Sequence, residues 1–107
     1  MLADADRYRF FELVRRWRAE TGFYSDPGRI MAHPAIVEII AMGRDVAPLL
    51  FRELERRSGH WFTPLWRVLG TGPVIPYEHR GRLAEMRRIW LEWGRRHGYL
   101  PAEEPAG

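Results

Sequence analysis

Four histidines, His33, His60, His79 and His97, are the residues best suited to bind a metal or move a proton near neutral pH, and they lie scattered among fourteen carboxylates. None has the i, i+4 histidine pairing or close clustering of a zinc motif such as HExxH. There is no cysteine, which removes disulfides, thiol catalysis and thiolate metal sites together. The hydroxyl nucleophiles are Ser25, Ser58 and a few threonines, all at turn or cap positions and none in a GxSxG elbow. The loop holding Gly70, Gly72 and Pro73 lacks the lysine and spacing of a phosphate-binding loop. These readings predict no catalytic residues, no metal and no cofactor, and hence no enzyme.

Two features remain that could act by binding. Residues 60–101 carry seven arginines against three acidic residues and interleave them with tryptophans, the combination that single-strand stacking uses. Periodicity, however, sets Trp90 and Trp93 on the side opposite Arg80, Arg87, Arg88 and Arg95, as expected of core tryptophan beneath a solvated arginine face. Glu53 is the other feature. On a helical wheel it falls among Val46, Leu49 and Leu50, so burial is expected, and a buried carboxylate needs hydrogen-bonding partners or a ligand.

The elements that must position these residues are all helical. The 107 residues suit one domain; 46% are hydrophobic and 13% aromatic, including five Trp, which argues against disorder. All 17 basic residues are arginine, which codon bias explains; a net charge of +3 is mild for a dedicated phosphate-backbone binder. No apolar run reaches membrane-spanning length and MLADADRYRF lacks a signal peptide's apolar core, so a cytoplasmic chain without a membrane role is expected.

Residues 3–20 read as an amphipathic helix with Phe10, Leu13, Val14 and Trp17 on one side. Gly22 ends it, and Phe23 and Tyr24 are expected to fold back onto its end. Ser25, Asp26 and Pro27 start a short helix that stops at His33 and Pro34. A second helix begins at Pro34 and ends at Gly43; Asp45 is then expected to cap a third that runs to about Arg57, with Pro48 in its first turn. The two helices of residues 30–57, joined by two or three residues, are expected to form an antiparallel hairpin. Residues 61–69 form a short helix that is apolar nearly all round, so it must be deeply buried or lose a face to a partner. A proline and glycine loop follows, too broken for regular structure. Residues 78–97 form a long amphipathic helix with Leu83, Met86, Trp90, Trp93 and His97 on its apolar stripe. His97 is expected to pack or cap at its end, and Tyr99 and Leu100 to fold back after Gly98. Residues 101–107 read as a disordered acidic tail.

Residues 39–54, in which apolar residues lead into Met42 and Gly43 and then VAPLLFREL, resemble a bacterial HEAT-type helical repeat. The fuller pattern, HPAIVEIIAMG through GHWF to Trp90, Trp93 and Gly94, is similar to small stand-alone bacterial proteins. The resemblance implies a truncated HEAT-like right-handed stack of antiparallel helices and a binding role, and it carries over no catalytic residue. One repeat is fewer than such stacks use, so aromatic caps or a second chain would complete the core.

The chain is therefore expected to be a single all-α domain over residues 1–100 and a non-catalytic protein-interaction module. Its partner would be another protein or a second copy of itself, and the neutralising half of a toxin–antitoxin pair is one such role. Arg56, Arg57, Trp61, Phe62, Trp66 and Arg67 form the expected partner surface, since interfaces favour Trp and Arg. The alternative is nucleic-acid binding through Arg80, Arg87, Arg88 and Arg95. A helix-turn-helix reading is weaker, because Asp45, Val46, Ala47 and Pro48 open the second hairpin helix with nothing suited to base edges or phosphates.

Overall fold

The computed structural model describes residues 2–23, 26–56 and 61–101. Among them every regular element is helical: α1 (Asp4–Thr21), α2 (Pro27–Ala32), α3 (Pro34–Ala41), α4 (Ala47–Arg56), α5 (Phe62–Leu69) and α6 (Leu83–Arg96). Two single 3-10 turns occupy Arg44–Val46 and Tyr77–His79. No helix among the described residues is long and apolar enough to cross a membrane. The chain divides into two compact units, Met1–Val46 and Ala47–Gly107. The expected hairpin and the HEAT-like residues 39–54 run across that division: α3 packs on α1 and α2, whereas α4 packs on α5 and α6.

In the first unit, local chemistry sets the helix starts twice by one device, a capping side chain followed by proline. The Asp26 carboxylate accepts the Gly28 N–H at 2.9 Å, and the His33 ring accepts the Ala35 N–H through Nδ1 at 3.0 Å. Pro27 and Pro34 fill the first helical positions, where a missing N–H costs nothing. Phe10, Leu13, Val14 and Trp17 of α1, Ile30 of α2 and Ala35, Ile36 and Ile39 of α3 are buried. The Trp17 indole donates to Ile30 O at 2.8 Å, tying α2 to α1.

Three local expectations are corrected. Gly22 stays right-handed (φ −59°), so the chain does not reverse and Phe23 is 99% exposed. Tyr24 and Ser25 lie outside the described residues. Asp45 does not directly precede α4: it lies inside the 3-10 turn Arg44–Val46, where the Val46 N–H bonds Gly43 O. The last helix starts at Leu83 rather than near residue 78, because Gly81 (φ +82°) breaks the backbone after the turn Tyr77–His79, which is itself more regular than the broken loop expected there.

In the second unit an aromatic layer fills the space between α4 and α6. Phe51 is fully buried, with its ring centroid 6.3 Å from Trp90, 6.2 Å from Trp93 and 5.5 Å from Tyr99. Tyr99 reaches that place because α6 ends in a paired cap. Gly98 turns left-handed, its N–H reaches Arg95 O at 3.2 Å, and the Tyr99 N–H reaches Gly94 O at 2.8 Å. Leu100 is buried beyond it, as expected.

Arg87 supplies a different cap. From α6 its Nε donates to Leu54 O at 2.9 Å and its Nη2 to Glu55 O, two carbonyls in the last turn of α4, the end of a helix where carbonyls need outside donors. Arg87→Met is expected to lower stability by about 1–2 kcal/mol, because the carbonyls lose a charged donor and only partly regain water. Arg87→Lys should recover little, since an ammonium cannot reproduce the fork. Urea unfolding midpoints of the three proteins check this, and an unchanged midpoint for Arg87→Met would remove the capping role.

Candidate functional site

The arrangement closest to catalytic geometry was not visible in the sequence. The Glu20 carboxylate meets His33 Nε2 at 3.1 Å and Arg16 Nε at 2.9 Å. A carboxylate on an imidazole is the usual way to orient a general base. Here the second ring nitrogen already accepts the Ala35 N–H, so the proton sits on Nε2 and no lone pair remains for a substrate. The pair fastens the end of α1 to the start of α3 and is a structural clamp. Only the tertiary fold brings the thirteen-residue separation together, so a spacing motif could not have found it.

The hydrogen bond from His33, followed by that from Arg16, holds the Glu20 carboxyl below its ordinary 4.5. A carboxylate whose folded pKa is depressed contributes stability above its unfolded pKa and loses it as pH falls through the folded value. Stability should therefore fall more steeply below pH 4.5 in the native sequence than in Glu20→Gln, which keeps an acceptor for Nε2–H but no charge. Urea midpoints between mildly acidic and acidic pH compare the slopes, and equal slopes would mean that the clamp carries no titratable stability.

The other histidines offer no cluster. His97 holds Trp93 O through Nδ1 at 2.8 Å and stacks on the Trp93 ring at 4.0 Å, the packing and capping role expected of it. His79 is half-buried, with no hydrogen-bond partner at Nδ1. His60 lies outside the described residues. No group of three or more metal-binding side chains occurs among the described residues.

Glu53 is buried as expected, at 7% exposure. No hydrogen bond to its carboxylate is formed among the described residues, so burial alone is settled for it.

The expected arginine face does not stand free. Arg80 falls in the turn before Gly81, off α6 altogether, and donates through Nε to Ile75 O at 3.4 Å. Arg87 is used on α4. Arg88 bridges Glu85 (3.0 Å) and Glu92 (3.2 Å), and its hydrogen bond to Glu85 lowers that carboxyl's pKa and raises its own. Arg95 pairs with Glu55 at 3.3 Å. Arg88 lies on the exposed side of α6, but Arg87 and Arg95 are half-buried, and the periodicity could not show that α6's own glutamates and α4's end would engage them.

The expected partner surface divides sharply. Trp61 is 2% exposed and belongs to the core, because it precedes α5 on the buried side, which corrects its place in a surface patch. Phe62 is half-buried, with its ring 6.4 Å from Trp90. Arg57 lies outside the described residues. Arg56 is exposed at the end of α4.

On α5 itself, Pro64, Leu65, Val68 and Leu69 face inward and Thr63, Trp66 and Arg67 face outward. Trp66 is 52% exposed, whereas Trp17, Trp61, Trp90 and Trp93 are each 8% exposed or less. The loop after α5 is held under this face. Gly70 turns left-handed (φ +70°) with its N–H on Trp66 O at 2.8 Å, and Gly72 then passes between Trp66 and Trp90. A β-carbon on Gly72 would lie 2.5 Å from Trp90 Cη2 and 2.8 Å from Trp66 Cε3. Leu83, expected on the buried stripe, is exposed as the first residue of α6. The outer face of the helix thus presents a half-exposed indole, a neighbouring guanidinium and the Thr63 hydroxyl. The chain matches no protein-family profile, no curated protein and no solved structure.

Proposed function

We propose that the chain is a non-catalytic protein-interaction module that engages its partner through the outer face of α5, centred on Trp66 and Arg67. The observation that carries this reading is the exposure of Trp66 beside four buried tryptophans. A half-exposed indole on an ordered helix is costly to hydrate and rigid enough to bind without much loss of freedom, which is why Trp and Arg dominate interface energetics. The HEAT-like resemblance of residues 39–54 supports the same class of role, with an antitoxin-like neutralising subunit as one form of it.

Nucleic-acid binding through Arg80, Arg87, Arg88 and Arg95 is the weaker reading. Three of the four are committed to carboxylates or to α4 carbonyls, and a phosphate contact would have to displace those bonds.

A photoreactive benzoylphenylalanine at position 66, in the protein expressed in its own cell, tests the proposal. The expected result is one protein adduct that is missing when the probe sits instead at exposed Tyr8. Equal labelling at both positions, or an adduct removed by nuclease, would overturn it.

A further inference from the structure

Building on the reading of α5 as a docking face, we infer that the partner contributes an acidic peptide segment carrying aromatic or aliphatic anchors. Exposed apolar side chains continue along the chain after Trp66. The chain from α5 to the start of α6 exposes Val74 (88%), Tyr77 (84%) and Leu83 in succession. Its backbone is fixed before any partner arrives. Gly72 is wedged between two indoles, the His79 N–H bonds Pro76 O at 2.9 Å, and the Arg82 N–H bonds His79 O at 3.0 Å. Pro73 and Pro76 stiffen it further, so little ordering entropy is lost on binding.

Charge then selects the occupant. Arg67, Arg80 and Arg82 belong to this stretch, and Glu78 is its only carboxylate. Arg67 makes no ion pair among the described residues. Among the described residues Arg80 donates only through Nε, to Ile75 O. Arg82 lies within electrostatic reach of Glu85, but that carboxylate already bonds Arg88. Elsewhere in the unit, Glu92 is paired with Arg88 and Glu55 with Arg95, and Glu53 is buried. Along the stretch that carries the exposed apolar side chains, three guanidinium groups therefore stand against one carboxylate.

The exposed apolar residues of the first unit make the contrast. Tyr8, Phe11 and Val37 lie on helices that carry matched pairs, Arg9 with Glu38, Arg15 with Glu12 and Arg16 with Glu20, and Phe23 stands alone after the end of α1. Across an interface, complementary charge steers encounter and rejects partners of like sign. The same rule disfavours a second copy of this face. Val74 and Leu83 give bases nothing to stack on, and three guanidinium groups are few for tracking a phosphate backbone, so a peptide fits better than a nucleic acid.

Selection from a random-peptide display library on the immobilised full-length chain at low salt tests the inference. Peptides with Asp or Glu flanking Leu, Phe or Trp should be enriched. They should lose about tenfold or more in affinity against Trp66→Ala and against Arg67→Glu/Arg82→Glu, and weaken as salt is raised. Matching circular dichroism of the variants excludes unfolding, since all three side chains lie on the surface. Trp66-dependent peptides that are neutral or basic would overturn the acidic inference and leave the docking face standing. Failure to enrich any Trp66-dependent peptide would overturn both. Tight binding of oligothymidine that Trp66→Ala abolishes would replace them with single-strand binding.

Discussion

Replacing Phe51 by alanine is expected to destabilise the second unit by about 3–5 kcal/mol, the usual cost of removing a fully buried aromatic side chain. A protein of this size is commonly stable by only about 5–15 kcal/mol, so the variant should retain little margin. The Phe51 ring is fully buried and lies within 5.5–6.3 Å of Trp90, Trp93 and Tyr99 by centroid distance, stacked or tilted on each. Its surroundings cannot close over the gap easily. Three flat rings have few alternative rotamers, and Gly94 brings the α6 backbone so close that an added β-carbon would stand 2.7 Å from Phe51 Cε1. A cavity there should persist, which places the expected loss toward the upper part of the range. Phe51→Leu keeps much of the volume and should cost markedly less. Guanidinium unfolding followed by tryptophan fluorescence measures both. A loss below about 1 kcal/mol for Phe51→Ala would mean that the aromatic layer does not hold α4 to α6.

How much of this could be read from the chain depends on the range of the forces involved. Asp26–Pro27 and His33–Pro34 announced two helix starts correctly because capping and the proline ring act within three residues. Gly98 with Tyr99 and Leu100 was readable for the same reason. Asp45 misled because the chemistry that caps a helix also suits the 3-10 turn it occupies. Phe23 misled because the fold-back required Gly22 to turn left-handed, and a glycine's type does not reveal its φ.

The functional face was harder to see. α5 is eight residues long and apolar on most sides, so its pattern could not choose which of Trp61 and Trp66 faces outward; packing of α5 on α4 leaves Trp66 outside. Arginine is long enough to reach carbonyls or carboxylates on either side of its own position, so the outward placement of Arg87 and Arg95 on the wheel did not establish that they were free. Among the described residues neither Arg67 nor Arg82 forms an ion pair, a property of the fold and not of the residue.

Gly72→Val should act on the docking face more than any change at an exposed residue outside it. The glycine backbone fits between Trp66 and Trp90 only because it has no side chain: even one β-carbon would stand 2.5 Å from Trp90 Cη2 and 2.8 Å from Trp66 Cε3. Neither indole can yield at low cost. Trp90 is buried against Phe51 and Trp93, and Trp66 is fixed on α5 with its own carbonyl held by the Gly70 N–H. The loop must lift away or the Trp66 ring must swing out, and either costs about 1–3 kcal/mol by overpacking. That figure understates the functional effect. Lifting the loop off Trp66 and Trp90 undoes the fixed geometry that lets the face bind with little ordering. Affinity for acidic peptides selected on the native chain should fall about tenfold or more while the helical content is unchanged. Gly72→Ala, with one carbon in place of three, should lie between the native chain and Gly72→Val in both stability and affinity. Calorimetric titration with a selected peptide, alongside urea unfolding, separates the two effects. Retention of full affinity by a folded Gly72→Val chain would show that Trp66 binds without the loop, and would confine the docking face to α5.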